Sequence, residues 1–221
     1  MGLNKQTGNM YDFVDFTWNP IKGKCENDCV YCYMKKWGKQ KPIRIVEKEF
    51  SEFIADMKKY GDKQKIFVGS SCDILANNIP SKWIKIVLEF CGAFNNTYLI
   101  QSRNPERILD FSFPHKIIIG TTIESNRDYP EISKAPKIKE RIKAMIKLKE
   151  MGFNTMVTIE PVLDFDVDEL VPMIKIMEPK WVNLGADSGG HKLPEPSKEK
   201  LLELMSRVDI RQKKNLKRLL K

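Results

Sequence analysis

Short apolar runs rich in β-branched residues alternate along this chain with stretches of helical hydrophobic spacing, and this alternation restricts its fold more than any other feature. Phe16-Thr17-Trp18, Lys65-Ile66-Phe67-Val68-Gly69, Tyr98-Leu99-Ile100, Ile117-Ile118-Ile119-Gly120, Thr155-Met156-Val157-Thr158-Ile159 and Trp181-Val182-Asn183-Leu184-Gly185 read as buried strands. Helical spacing follows each of the later ones. Phe50 to Tyr60 carries Phe50, Phe53, Ile54 and Met57 on one face. Pro80-Ser81 opens a helix with Trp83, Ile84, Val87, Leu88 and Cys91 on one face. Pro105 to Leu109 is a short helix, Ile138 to Met151 a long one stopped by Gly152, and Val167 to Met177 and Lys198 to Val208 complete the series. Continuous apolar strands separated by helices demand a parallel sheet with its outer face covered. Six strand-then-helix units, short of the eight that close a barrel, predict an α/β fold: a partial (β/α)6 TIM-type barrel with the helices outside.

No Gly/Ser-rich linker or low-complexity segment interrupts the pattern, so one domain over residues 1–221 is expected. The basic tail, about residues 209–221, reads as a frayed end. The hydrophobic fraction of 42% and charged fraction of 30% are ordinary for a soluble globular protein. No run approaches the roughly 18 apolar residues that span a bilayer. The start, Met1-Gly2-Leu3-Asn4-Lys5-Gln6, lacks the apolar core of a secretory signal, so no membrane association and a cytoplasmic location are expected. The net charge of +9 favours polyanionic partners, although basic residues scattered over helix faces are equally a solvated surface.

Three of the five cysteines stand within one short segment, Cys25-Glu26-Asn27-Asp28-Cys29-Val30-Tyr31-Cys32, directly after the first strand. An odd, clustered set is not a disulfide framework and points to metal or redox chemistry. Three thiolates on one loop can each take one iron of a cubane and leave the fourth iron without a protein ligand. The competing reading is zinc, which asks for four ligands; the chain's two histidines, His115 and His191, sit in no paired motif.

The spacing C-x3-C-x-aromatic-C after a first strand resembles the signature of the radical S-adenosylmethionine (SAM) superfamily, and the six units resemble its partial-barrel core over nearly the whole chain. Phe16-Thr17-Trp18-Asn19-Pro20, Cys32-Tyr33, Arg103-Asn104-Pro105-Glu106-Arg107 and Gly120-Thr121-Thr122-Ile123-Glu124 are similar to motifs of the phage Gp37/Gp68-type (DUF5131) radical SAM proteins. A more distant likeness is to the spore photoproduct lyase branch. The resemblance implies a [4Fe–4S] cluster on Cys25, Cys29 and Cys32. It also implies SAM chelated to the open iron and cleaved to a 5′-deoxyadenosyl radical, with an external flavodoxin- or ferredoxin-like electron donor. It does not supply a substrate; the basic charge tilts that expectation toward nucleic acid or a nucleotide. Two non-catalytic readings compete: a zinc or iron–sulfur module, and a nucleic-acid-binding protein that uses its basic C-terminal helix.

In a parallel barrel the strand ends face the ligand. Gly69-Ser70-Ser71 stands where the resemblance places a Gly-Gly-Glu motif, with the acidic member missing and Asp73 as its stand-in; a plain turn is the alternative. Its carbonyls and hydroxyls are implied acceptors for the methionyl amino group. Arg103 suits a bidentate pair with the SAM carboxylate, or is a surface residue opening a helix. Thr122 and Glu124 alternate to one side, with Glu124 expected toward the ribose hydroxyls. Tyr31 and Tyr33 flank the last cysteine, to pack on adenine or in the core. Glu160 and Asp187 end the fifth and sixth strands and are the expected substrate-side catalytic residues; a carboxylate at such a mouth needs a partner, whether substrate, Arg103 or a lysine. Cys91 is a small buried hydrophobe on a helix face. Cys72, at the second strand's end, is by resemblance to the lyase branch a hydrogen-atom donor, and otherwise a structural thiol.

Overall fold

Six of the observed strands coincide with the apolar runs of the sequence, and they pair in chain order. The computed structural model describes residues 2–7, 10–113 and 116–221, so His115 lies outside the described residues. The strands are β1 (Asn4–Lys5), β2 (Phe16–Trp18), β3 (Ile21–Lys22), β4 (Arg44–Ile45), β5 (Lys65–Val68), β6 (Thr97–Gln101), β7 (Ile117–Thr122), β8 (Asn154–Ile159), β9 (Val182–Leu184) and β10 (Ile210–Gln212). The α-helices are α1 (Glu47–Tyr60), α2 (Ser81–Gly92), α3 (Ile138–Glu150), α4 (Val167–Ile176) and α5 (Lys198–Arg207). Short 3-10 helices cover Tyr33–Trp37, Pro105–Asp110 and Lys214–Leu219. The main sheet runs β1-β2-β5-β6-β7-β8-β9-β10. Each pairing from β2 through β10 is parallel, and β1 adds an antiparallel edge. β3 and β4 form a separate antiparallel hairpin. The fold is the expected α/β partial barrel, with one parallel strand more than the six units require.

The period-two alternation of side chains separates the sheet into two environments. Ile66, Val68, Tyr98, Ile100, Ile117, Ile119, Val157 and Ile159 point to the helices and join the main core with Phe53, Ile84, Leu88, Met145, Leu148 and Leu170. The residues between them, Phe67, Leu99, Ile118 and Met156, point the other way and pack against Met10, Tyr11, Phe13 and Val14. The N-terminal segment therefore fills the face that the helices leave bare. Phe13 meets the edge of Trp181 at 5.0 Å between ring centroids, and burying these aromatics supplies much of that second core.

The expectation of a frayed tail is corrected. Ile210, Arg211 and Gln212 pair in register with Val182, Asn183 and Leu184, and Leu216 in the following 3-10 helix is fully buried. Only three residues long and mostly exposed, β10 carries no alternating apolar pattern to betray it. Replacing Leu216 by Ala should lower stability in urea unfolding by about 2–4 kcal/mol, the cost of emptying a buried leucine site. A change below about 0.5 kcal/mol, typical of exposed positions, would return the tail to a frayed end.

Candidate functional site

The cysteine segment lies in the connection between β3 and β4, and its backbone is tied to two other loops rather than left free. Val30 N donates to the Ile132 carbonyl at 2.9 Å and Lys134 N to the Asn27 carbonyl at 2.8 Å, which fasten it to the loop after β7. Asn27 Nδ2 donates to Asp73 Oδ2 at 2.8 Å, which fastens it to the loop after β5. Asp28 adopts the left-handed region, φ 43°, which a short polar side chain tolerates. All five cysteines are free thiols. Burial, then the Asp73 charge and the neighbouring Cys29 and Cys32, pushes the Cys25 thiol up to about 11 against a backbone hydrogen bond at Asp73. Cys29 Sγ lies 3.2 Å from Ser133 Oγ. Among the described residues, no three His, Cys, Asp or Glu side chains gather as the ligands of a single metal ion.

Beside the cysteines, Glu124 gathers three partners. Its Oε1 accepts from the Tyr31 hydroxyl at 2.6 Å and from Arg103 Nε at 3.0 Å, and its Oε2 accepts from Arg141 NH1 at 2.8 Å. Arg103 also donates to the Tyr31 hydroxyl at 2.8 Å and lies 5.1 Å from the centre of its ring. Burial by itself would raise the Glu124 carboxyl; Arg141, Arg103 and the Tyr31 hydroxyl together bring it down to about 2. Burial holds the Tyr31 hydroxyl well above its ordinary value. A cavity of about 310 Å³ opens next to this group, lined by Tyr31, Glu124, Arg141, Ile132, Ser133 and Leu163 among others. That volume is in the range of small-ligand sites.

The turn after β5 is fixed by its first residue. Gly69 has φ 78°, and a Cβ there would fall 2.5 Å from Ile74 Cγ2, so only glycine fits. Asn19 Oδ1 accepts from Ser71 N at 2.8 Å and from Ser70 Oγ at 3.2 Å, while the Ser70 carbonyl accepts from the Tyr33 hydroxyl at 3.0 Å. Asp73 accepts three hydrogen bonds: besides Asn27, from Arg103 N at 2.9 Å and Leu75 N at 3.1 Å. Cys72 packs into the helix-side core at 4% exposure, and burial followed by the nearby Cys25 pushes its thiol up.

A second polar group occupies the far strand ends. Glu160 follows β8 and accepts from Lys213 at 2.7 Å and Asn215 at 2.9 Å, the lysine alternative of the sequence expectation. A Cβ on Gly185 would meet Glu160 Oε1 at 2.7 Å, so the glycine makes room for the carboxylate. Lys213 also lies 4.5 Å over the Tyr11 ring. The Tyr11 hydroxyl bonds Gln101 Oε1 and, at 2.8 Å, Thr158 Oγ1. Gln101 Nε2 donates to Thr122 Oγ1 at 3.2 Å. Asp187 accepts from Gly189 N, His191 N and the His191 ring. A cavity of about 370 Å³ here is lined by Tyr11, Phe13, Asn183, Arg211, Lys213 and Lys214 among others.

Tyr31, Arg103 and Glu124 thus meet, as do Tyr33 with Ser70, whereas Thr122 leaves Glu124 for the Tyr11 network. Arg141, Tyr11, Gln101, Lys213 and Asn215 were not singled out from the sequence. Arg141 sits on a lysine-rich helix without a distinguishing neighbour. Only the tail's failure to stay frayed reveals Lys213 and Asn215.

Replacing Glu124 by Gln leaves two buried guanidinium groups short of a counter-charge and should cost about 3–5 kcal/mol at pH 7. The carboxyl is depressed in the folded state, so its stabilisation is present above the ordinary value of 4.5 and is lost as pH falls toward about 2. The wild-type and variant unfolding free energies, measured in urea from pH 7 downward, should converge across that window.

Solved structures of two kinds share this fold. A spore photoproduct lyase variant with bound AdoMet and dinucleoside spore photoproduct superimposes with a TM-score of 0.65 at 12% identity, over 93% of this chain and 65% of that one. A spore photoproduct lyase complexed with the dinucleoside spore photoproduct gives 0.65 at 14% identity, over 91% and 63%. SuiB of Streptococcus suis bound to S-adenosylmethionine gives 0.57 at 10% identity, over 86% and 48%. The chain spans less than two thirds of the length of these proteins. No curated protein sequence matches it. A family model does, over residues 9–199, and the chain belongs to that family, DUF5131, described as a protein of unknown function.

Proposed function

We propose that this chain is a radical SAM enzyme that carries a [4Fe–4S] cluster on Cys25, Cys29 and Cys32. The observation that carries the reading is the placement of three free thiols on one tethered loop, beside a cavity lined by Tyr31 and Glu124 at the strand ends of a parallel sheet. The donor set suits a cubane. A cubane takes each thiolate at a separate iron, and Cys25, Cys29 and Cys32 lie close enough on their loop for the charges of Cys29 and Cys32 to act on the Cys25 thiol. When bound, cluster and SAM together supply one-electron cleavage to a 5′-deoxyadenosyl radical.

The chain's own residues have distinct tasks in this reading. Tyr31, held by Glu124 and Arg103, presents its ring to the adenosine side of the cavity. Glu124 Oε2 retains lone-pair capacity for a ribose hydroxyl after binding Arg141. The Gly69-Ser70-Ser71 turn and Arg103 face the methionyl end. Glu160, Asp187 and Lys213 form the substrate side. Arg211 and Lys214, with Lys213 shared with Glu160, outnumber Asp12 around the second cavity and support an anionic substrate, a nucleotide or nucleic acid. The core position of Cys72 supports its structural alternative over a hydrogen-donor role.

Anaerobically reconstituted protein should be brown, with broad absorption near about 400 nm, and should release 5′-deoxyadenosine with SAM and dithionite. Cys25→Ala, Cys29→Ala and Cys32→Ala should each abolish both signals, while Cys72→Ala should keep the colour. A colourless protein with stoichiometric zinc would overturn the reading.

A further inference from the structure

The segment that follows the third cysteine is a surface that the proposed chemistry inside the barrel does not use. Cys32 caps the 3-10 helix Tyr33–Trp37. Trp37 is 79% exposed, the largest exposure among the exposed large hydrophobic residues, and Tyr33 beside it is 50% exposed. The exposure is not that of a loose loop. Lys35 N donates to the Cys32 carbonyl at 2.9 Å, Gly38 N to the Lys35 carbonyl at 3.2 Å and Gln40 Nε2 to the Met34 carbonyl at 2.6 Å. The Tyr33 hydroxyl pins the helix to the Ser70 carbonyl. A tryptophan left in water on a hydrogen-bonded turn forgoes hydrophobic stabilisation that burial would return, so its position calls for a partner.

The charge around it is of one sign. Between Asp28 and Glu47 the chain has Lys35, Lys36, Lys39, Lys41 and Arg44, and neither Asp nor Glu; all five cations are exposed. Asp28 offsets only Lys35 among them, at 3.2 Å, and is shared with Lys24 and Lys134 at 3.4 and 3.6 Å. We infer that this patch, centred on Trp37, is the docking surface for an acidic one-electron donor protein. The inference rests on the cluster proposed for Cys25, Cys29 and Cys32. It follows from position: Trp37 stands five residues beyond Cys32 on a rigid turn, so a partner seated there brings its redox group beside the cluster loop. One electron passes from donor to cluster, with no bond made or broken at the surface. The cavity proposed for the substrate side is lined by Met10 to Phe13 of the N-terminal segment, by Asn183 of β9 and by residues 211–214 of β10 and the turn after it, and it shares no lining residue with the stretch from Tyr33 to Arg44. The two cationic surfaces thus draw on different residues.

The test compares wild type with Lys36→Glu/Lys39→Glu/Lys41→Glu and with Trp37→Ala, all at exposed positions. Reconstituted protein is mixed anaerobically with fully reduced flavodoxin, and separately with photoreduced deazaflavin, a small reductant that needs no docking; bleaching near about 400 nm is followed. The triple variant should slow flavodoxin-driven bleaching about tenfold or more at low ionic strength, with the difference shrinking in salt. Deazaflavin-driven bleaching should stay within about twofold. Oxidised flavodoxin titrated against each protein gives a second readout that needs no cluster, and its affinity should fall by a similar factor. Unchanged flavodoxin reduction and binding in the triple variant would overturn the inference. So would equal losses with both reductants, or a selective loss of affinity for a single-stranded oligonucleotide. A colourless wild-type protein would mark failure of the cluster reading itself, while the flavodoxin titration would still decide the docking surface.

Discussion

A carboxylate almost wholly removed from water stays ionised only if its neighbours return what hydration supplied. Glu124 meets that condition through Arg141, Arg103 and the Tyr31 hydroxyl, and each partner comes from a different part of the chain. Tyr31 belongs to the cysteine loop, Arg103 follows β6, Glu124 follows β7 and Arg141 is on α3. One buried charge therefore sets the position of the loop that carries the thiols relative to the sheet. Asp73 repeats the device on the other flank, where it binds Asn27 of the same loop and the backbone of Arg103. Between the two carboxylates, the cysteine loop is held by its backbone and by Asn27 and Tyr31, with Cys29 Sγ also 3.2 Å from Ser133 Oγ. A site with such supports keeps its shape before any group is bound, which lowers the ordering cost of binding.

The same economy governs the barrel's inner face. Eight-strand barrels fill their interior with side chains from the strands. Here the sheet is open, and Tyr11, Phe13 and Val14 enter from the N-terminal segment instead. Tyr11 then does two things: its ring completes the apolar packing, and its hydroxyl joins Gln101 and Thr158 in a polar chain. Apolar residues low on the strands and polar ones toward their ends place this chain beneath the mouth. Burial, and then the Glu160 charge, raise the Tyr11 hydroxyl.

Much of this was legible in the sequence because its signals are local. The strand runs and most of the helix faces lie within a few turns of chain and reappear where the pattern places them, Ile54 on α1 being an exposed exception; the C-x3-C-x2-C spacing is equally local. Glu160 was legible in part: a charge directly after Met156-Val157-Thr158-Ile159 requires a partner, and a lysine supplies it. Which lysine was not legible, because the pairing closes a loop of 53 residues. Arg141 was hidden for a related reason. On α3 it stands among Lys139, Lys143 and Lys147, and only the geometry that buries it at 5% exposure separates it from them. β10 escaped because three residues at the sheet's edge, half of whose hydrogen bonds face water, need no apolar alternation.

The distribution of charge ties these observations to function. A net charge of +9 spread evenly would be a solubility device. The structure pairs Arg103 and Arg141 with Glu124 and Lys213 with Glu160 near the sheet's interior, and Arg127 and Lys200 with Asp164 nearer the surface. Each one-to-one pair cancels a cation against a carboxylate and leaves the net excess to the remaining residues, among which the stretch from Val30 to Val46 carries five cations without an acid. A field concentrated near one loop acts on approach and orientation of a charged partner more than on the fold. Since that loop also bears the three thiols, the concentrated positive charge and the candidate cluster ligands lie on the same short segment of sequence.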